Sequence, residues 1–344
     1  MPRNSIEVSL ATRADGGAWE AYVEARGDAT GYHSWRWRQV FEGAFGHECV
    51  YLAARQGGLI VGVLPMVQIK SLLFGRTLTS LPFLNYGGVM ADAPEIADAL
   101  IEQARDEARV RRCSHVELRH VEQQFANLPC KQHKVAMHLP VADGMWDRLD
   151  RKVRNQIRKA EKSGLVVERG GEALVNDFYT IFARNMRDLG TPVYGRRLFA
   201  EILREQPEDA RLHLVYLGDQ AIAGGLSYAY GGTVEVPSAS SLREHRALCP
   251  NHLMYWSIIQ GAIAAGRTCF DFGRSTPDDG TYAFKEQWGA RAVPLHWEYR
   301  LLGSARLPEE DRHNPQYQAR IEGWKKLPVP VATMLGPRIA RLLP

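Results

Sequence analysis

Over the first 120 residues, apolar positions alternate in short runs and then switch to a three-and-four spacing, which predicts strands followed by helices. Ile6-Glu7-Val8-Ser9-Leu10 reads as a strand, and 18–25 as a short helix. Beyond Gly31, Ser34 stands where it can cap a helix whose apolar face is Trp37, Val40, Phe41 and Ala44. Apolar runs at 50–54 and 59–67 flank Gln56-Gly57-Gly58 and predict a hairpin with a glycine turn. A strand at 77–81 precedes Pro82-Phe83-Leu84-Asn85-Tyr86-Gly87-Gly88-Val89. A helix follows over 94–111 with Ile96, Leu100, Ile101 and Ala104 on one side, then an alternating strand at 115–119.

The second half repeats this order. Strands at 212–217 and 221–230 flank a Gly218-Asp219 turn, another follows at 233–236, a helix spans 252–265 before Gly266, and 268–272 forms the next strand. Strand, strand, strand, helix, strand thus occurs twice, as a duplicated open mixed sheet with flanking helices would produce.

Between the halves, Trp146, Leu149, Val153, Ile157 and Ala160 recur at helical spacing over 145–164, while Arg151, Arg154, Arg158 and Lys162 share another face. Seven cations stand against three acids in this segment, an excess equal to the +4 of the whole chain, whose 43 Lys and Arg nearly balance 39 Asp and Glu. That balance excludes a wholesale nucleic-acid coat and confines any polyanion contact to a patch. Two readings of the face stay open: a solvated surface with pairs such as Asp147 to Arg151 or Asp150 to Arg154, or a phosphate-tracking surface.

With 344 residues, 45% hydrophobic and 24% charged, the chain is excluded from the disordered, collagen-like and coiled-coil classes and has room for roughly two domains. Its first residues carry no apolar signal-peptide core, and no apolar run approaches the ~20 residues needed to span a bilayer. Five scattered cysteines without a C-x-x-C pair fit reduced thiols, so the expected location is cytoplasmic.

The chemistry-bearing residues concentrate in the second half. Phe270-Asp271-Phe272-Gly273-Arg274-Ser275 ends a strand in a glycine, a cation and a hydroxyl, and a Pro277-Asp278-Asp279-Gly280 loop leads to Lys285, framed by Tyr282, Phe284 and Trp288. Ser238, Ser240 and Ser241 end another strand, with Arg243, His245 and Arg246 beyond.

The Asp271–Ser275 motif, Gly280-Thr281-Tyr282 and Phe284-Lys285 through Trp288-Gly289, with the basic helix and Gly190-Thr191-Pro192 upstream, resemble the FemA/FemB/FemX family. More narrowly they resemble the FemAB-like proteins associated with exosortase (PEP-CTERM) systems. The resemblance runs from about Trp35 to Tyr299 and is most specific from Pro237 to Gly289. It implies an α+β chain of two tandem GNAT-like acyltransferase domains, each a mixed, mostly antiparallel sheet flanked by helices. The expected division is a first domain at 1–144, a linker helix at 145–164, a second domain with the acyl-transfer site at 165–303, and a tail at 304–344. The resemblance further implies an aminoacyltransferase of peptidoglycan and envelope biogenesis, with aminoacyl-tRNA as donor and an amine of an envelope precursor as acceptor.

Acetyl-CoA-using GNAT domains carry an Arg/Gln-x-x-Gly-x-Gly/Ala loop whose backbone amides bind pyrophosphate. No such loop follows Val234-Glu235-Val236, where Ser240 through Asn251 contains no glycine. A CoA-dependent N-acyltransferase and a non-catalytic RNA- or glycan-binding adaptor remain the competing readings.

Aminolysis of an activated ester needs a deprotonated amine, a positive group at the developing oxyanion and both substrates held at attack distance. Lys285 matches the family's Phe-Lys motif and is assigned the oxyanion, Arg274 a phosphate or carboxylate, and Asp271, Glu235 or Asp278 the base. Ser275, Tyr282, Ser240 and Ser241 complete the expected substrate contacts in this half. In the first half, Trp37, Arg38, Asn85 and Tyr86 resemble the family's acceptor-side features, with Gly87-Gly88 permitting close approach of a ligand. Arg151, Arg154, Arg158 and Lys162 are the candidate nucleic-acid or phosphate contacts. No metal and no cofactor are expected, since neither H-E-x-x-H nor paired cysteine spacing occurs. The tail mixes apolar residues with Lys325, Lys326, Arg338 and Arg341, and either docks on the domain or touches an anionic membrane surface.

Overall fold

The computed structural model describes residues 5–71, 75–277, 279–308 and 315–343. Two compact units emerge, and neither is one continuous stretch of chain. Among the described residues, the first combines 5–133 with 294–308 and 342–343, and the second combines 134–293 with 315–341.

In the first unit the expected hairpin forms as Leu52–Gln56 against Leu59–Leu64, within a four-stranded sheet that also holds Glu7–Leu10 and Met90–Ala91. A six-stranded sheet lies beside it in sequence order. There Gly75–Thr79 runs parallel to His115–His120 through Leu78 opposite Val116 and Thr79 opposite Glu117. The helix joining these two strands, Pro94–Val110, buries Leu100, Ile101 and Ala104, the stripe its spacing predicts. His296–Leu301 completes the sheet, antiparallel to His115–His120.

The second unit repeats the plan in one seven-stranded sheet. Its spatial order is Leu165–Gly170, Ala210–Leu217, Gln220–Tyr230, Thr233–Ser241, Cys269–Ser275, Val135–Pro140 and Arg291–Pro294. Thr233–Ser241 again runs parallel to Cys269–Ser275, with the helix Pro250–Ala264 between them in sequence. Val135–Pro140 lies antiparallel to Cys269–Ser275, the role that His296–Leu301 plays in the first unit. The six-stranded sheet of the first unit is therefore completed by a strand from beyond the second unit's main segment, whereas Val135–Pro140 opens the second unit's own segment. Residues 134–144, expected in the first domain, belong to the second unit, where 135–140 pair into its sheet, and 296–301, expected in the second, pair into the first.

The basic segment 145–164 belongs to the second unit and is not one helix. Met145–Arg148 ends at Leu149, whose ψ of 144° is extended, and Asp150 restarts the chain by accepting the Lys152 N–H at 2.6 Å. Asp150 thus serves as an N-cap rather than as an ion-pair partner of Arg154. Arg151–Lys162 then buries Val153, Ile157 and Ala160 in the same core as Ile258, Ile259, Phe270 and Phe272. Burial of Val153 and Ile157 contributes on the order of 2 kcal/mol each, enough to fix the cationic face outward.

The tail docks on the second unit. Arg187 donates to Lys325 O at 3.3 Å and Leu327 O at 3.2 Å, Gly190 packs under Ile321, and Gly336 lies against Val193. The helices involved are Pro315–Lys325 and Val329–Ala340. Among the described residues no helix is long and apolar enough to cross a membrane, and no group of three His, Cys, Asp or Glu side chains is placed to hold a metal ion.

Candidate active site

The parallel ladder of the second unit lasts only three residues, Thr233 to Glu235 against Cys269 to Asp271, and then opens. Both strands bulge immediately past that row. The extra residue of Thr233–Ser241 lies between Glu235 and Ser238, opposite Tyr228 and Leu226, and that of Cys269–Ser275 lies between Asp271 and Arg274, opposite His138 and Ala136. Gly273, with φ at +73°, supplies the left-handed residue that the second bulge requires. Bulges at this position re-aim side chains and end the pairing, leaving a notch between two rigid strands.

Two carboxylates line the closed end of the notch. Glu235 and Asp271 are register partners and both buried, Asp271 at 1% exposure. Asp271 Oδ1 accepts the Gly273 N–H at 2.8 Å, so the bulge and the carboxylate hold each other. On the next strand, His138 Nε2 lies 3.4 Å from Asp271 Oδ2. Burial opposes protonation of that ring, but the Asp271 hydrogen bond and charge outweigh it and raise the His138 pKa.

Lys285 enters the notch from the helix Gly280–Glu286, whose N-terminus is capped by the Asp279 carboxylate on Gly280 N–H. Its ammonium donates to Gly273 O and to Arg274 O, each at 3.0 Å, and its side chain is buried. Burial pulls its pKa down to about 8 against the opposing pull of Asp271 and Glu235, while Arg274 adds to the lowering. An ammonium has three protons, and among the described residues only two find acceptors.

The other residues singled out in this half are placed as follows. Ser275 is buried and its Oγ has no hydrogen-bond partner among the described residues. Ser240 Oγ accepts from Asn185 Nδ2 at 3.1 Å, and Ser241 is buried beside it in sequence. Arg274 is partly exposed. Tyr282 and Phe284 pack against the apolar core, and Trp288 lies inside it against Tyr255 and Phe272. Asp278 lies outside the described residues. His138 carried no signal in the sequence, because only a pairing between distant segments sets it opposite Asp271.

The equivalent opening in the first unit is filled. Ser80 N–H donates to Glu117 O and Ser80 Oγ accepts from Arg119 N–H, each at 2.8 Å. The Arg119 guanidinium, 2% exposed, pairs with Glu117 and donates to Leu84 O at 2.9 Å. His120 Nε2 accepts the Val89 N–H at 2.8 Å while Nδ1 donates to Glu298 at 2.6 Å. Glu298 also accepts the N–H groups of Gln124 and Phe125. These bonds draw 80–89 across the gap. The space beside Gly87 is taken by Leu81, and a Cβ on Gly88 would lie 2.0 Å from the His120 ring, so the twin glycines accommodate the protein's own side chains.

Trp37 is 1% exposed and donates to Gly31 O at 3.0 Å. Arg38 donates to Ala11 O and Glu42, each at 2.9 Å, and its guanidinium lies 5.0 Å from the Trp35 ring centre. Asn85 and Tyr86 are both buried.

On Arg151–Lys162, no ion pair among the described residues engages Arg151, Arg154, Arg158 or Lys162. Arg158 lies 5.3 Å from the Trp146 ring centre, and Lys152 is near enough to His252 to help burial depress that imidazole to a pKa of about 4.

Residues 148–286 match the acetyltransferase (GNAT) domain family. No curated protein sequence matches the chain. Among solved structures, the chain resembles FemX with a TM-score of 0.62 at 16% identity, covering 91% of this chain and 99% of that one. It resembles the C-terminal domain of a putative lysylphosphatidylglycerol synthetase from Agrobacterium fabrum with a TM-score of 0.57 at 11% identity, over 85% and 93% of the two chains. A tandem GNAT protein from the clavulanic acid biosynthesis pathway gives 0.54 at 10% identity, over 89% and 100%. At these identities the likeness concerns the fold, and it agrees with the twice-built parallel pair, joining helix and antiparallel last strand. The chain has the GNAT acyltransferase fold in a roughly two-domain architecture, and its match to the acetyltransferase (GNAT) domain family falls within the second unit.

Proposed function

We propose that this protein is a Fem-like transferase that moves an aminoacyl group from aminoacyl-tRNA to an amine of a cell-envelope precursor. The observation that carries the reading is the buried ammonium of Lys285, held by two carbonyls at the opened ladder with one proton left over among the described residues. Attack of an amine on an ester forms an N–C bond and puts negative charge on the carbonyl oxygen before the C–O bond breaks. A fixed cation in a water-poor notch stabilises that charge without reorganising. The similarity to FemX and to a putative lysylphosphatidylglycerol synthetase supports the aminoacyl donor and the envelope acceptor by analogy of fold.

The N-terminus of Pro250–Ala264 favours tRNA over CoA as donor. A pyrophosphate cradle there needs several free backbone amides. Pro250 has none, Cys249 N–H donates to Arg246 O at 3.0 Å, and His252 N–H donates to Cys249 O at 3.1 Å. The cations of Arg151–Lys162, without ion-pair partners among the described residues, offer a phosphate backbone a separate surface. The test is to incubate purified protein with aminoacyl-tRNA and, separately, with acyl-CoA, each with an amine acceptor. Lys285-dependent loss of the aminoacyl group from tRNA is expected, and Lys285-dependent deacylation of CoA alone would replace this donor with CoA.

A further inference from the structure

We propose that His138 is the proton acceptor of this transferase site, with Asp271 as the group that orients it. The proposal rests on the transferase reading above. A base needs a lone pair at the reaction, a fixed orientation and an exit for the proton it collects. Asp271 is pinned through Oδ1 to Gly273 N–H, so Oδ2 is fixed toward His138 Nε2 at 3.4 Å. With Nε2 carrying its proton toward that carboxylate, the basic nitrogen of the neutral ring is Nδ1. Glu235 stands on the far side of Asp271 in the same row, which makes three adjacent strands contribute one titratable side chain each. The His138 side chain is 30% exposed, whereas the Asp271 side chain is 1% exposed, so the imidazole is the member of the row that reaches water.

The reaction balances as follows. The neutral amine nitrogen bonds to the ester carbonyl carbon, the ester C–O bond breaks, and the departing alkoxide takes a proton from water. The proton on the new amide nitrogen passes to His138 Nδ1, and the imidazolium returns it to water.

The bulge explains why this pair exists. Were the register of Val135 with Ser275 and Ala136 with Arg274 to run on without a bulge, His138 would stand opposite Phe272, whose side chain belongs to the core. The charge that acts on His138 is that of Asp271 on the neighbouring strand, while the strand Arg291–Pro294 follows Val135–Pro140 in the sheet order. Activity therefore rises as His138 loses its proton, in a limb above the ordinary imidazole range, and falls where Lys285 loses its charge.

The experiment is the pH profile of kcat/KM for aminoacyl transfer by the full chain and by His138→Gln. The expected result is a loss of about 100-fold in the variant with its acidic limb gone and its alkaline limb kept. A His138→Ala protein covers the case in which His138→Gln does not fold, and added imidazole is expected to restore at least tenfold of its lost rate. An active His138→Gln enzyme with an unchanged acidic limb, or a folded His138→Ala enzyme without imidazole rescue, overturns the assignment. A wild-type chain inactive with every donor removes the transferase reading and this proposal with it, an outcome distinct from an active wild type indifferent to His138.

Discussion

Lys285 Nζ donates to Gly273 O at 3.0 Å, which ties the buried cation of the second unit to the residue whose left-handed backbone opens the ladder. Loss of the ammonium removes the charge but leaves the bulge, because Gly273 is independently held by Asp271. Lys285→Met is therefore expected to fold, to give an unchanged far-UV spectrum, and to lose transfer by about 100-fold or more in single-turnover assays. A soluble, fully active variant would take Lys285 out of the mechanism.

The same lysine gives a stability signature that needs no substrate. Its folded pKa of about 8 lies below its ordinary 10.5. Between those values the unfolded chain holds a proton that the folded chain does not, so stability from this group rises with pH across the window and is lowest below it. The slope of Tm against pH between about 8 and 10.5 is expected to be less positive, or more steeply negative, in Lys285→Met than in the wild type. Parallel curves for the two proteins would show an exposed lysine.

Gly88 and His120 make a second pair whose contact can be broken on purpose. A methyl group on Gly88 would sit 2.0 Å from the ring, and His120 cannot retreat without leaving Val89 N–H and Glu298. Gly88→Ala is expected to cost about 3 kcal/mol in urea unfolding. In a His120→Ala background the same change is expected to cost less than half as much, since the colliding ring is gone. Additive losses would place the collision elsewhere.

What the sequence revealed follows the range of each interaction. Val153, Ile157 and Ala160 declared a buried stripe because one helix sets their spacing, and the helix break at Leu149-Asp150 went unread because Asp150 serves equally as cap or ion-pair partner. Glu235, Asp271 and Lys285 were legible from a local motif and a resemblance. His138 was not, since an antiparallel pairing with a one-residue bulge is what turns it toward Asp271. The exchange of 135–140 and 296–301 between units was hidden for the same reason: strand propensity is local, while strand partnership is not. Gly87-Gly88 was visible as a place of close approach, but the approaching atoms belong to Leu81 and His120.

Trp37 and Arg38 separate a structural role from acceptor contact. Arg38 bonds Ala11 O and Glu42 and lies over the Trp35 and Tyr51 rings at 5.0 and 5.7 Å. Arg38→Ala is expected to lose about 2 kcal/mol of stability while KM for the acceptor stays within twofold. Unchanged unfolding with a raised KM would return Arg38 to the substrate site.

The cationic face of Arg151–Lys162 is the feature best suited to distinguishing a phosphate surface from a solvated one. Arg154, Arg158 and Lys162 have no ion-pair partners among the described residues, so reversing them breaks no salt bridge seen there, and the helix remains anchored by Val153, Ile157 and Ala160. If the face tracks a phosphate backbone, each lost contact removes one released counterion, worth about 0.7 to 0.9 in the slope of log K against log salt. The triple change to Glu is expected to weaken tRNA binding at least tenfold near 0.1 M salt and to reduce the slope by about 2 to 3. Deacylation of a small ester analogue, which makes no backbone contact, is expected to stay within twofold of wild type. Equal slopes for the two proteins would assign the face to solvent and move the donor's phosphates to another surface.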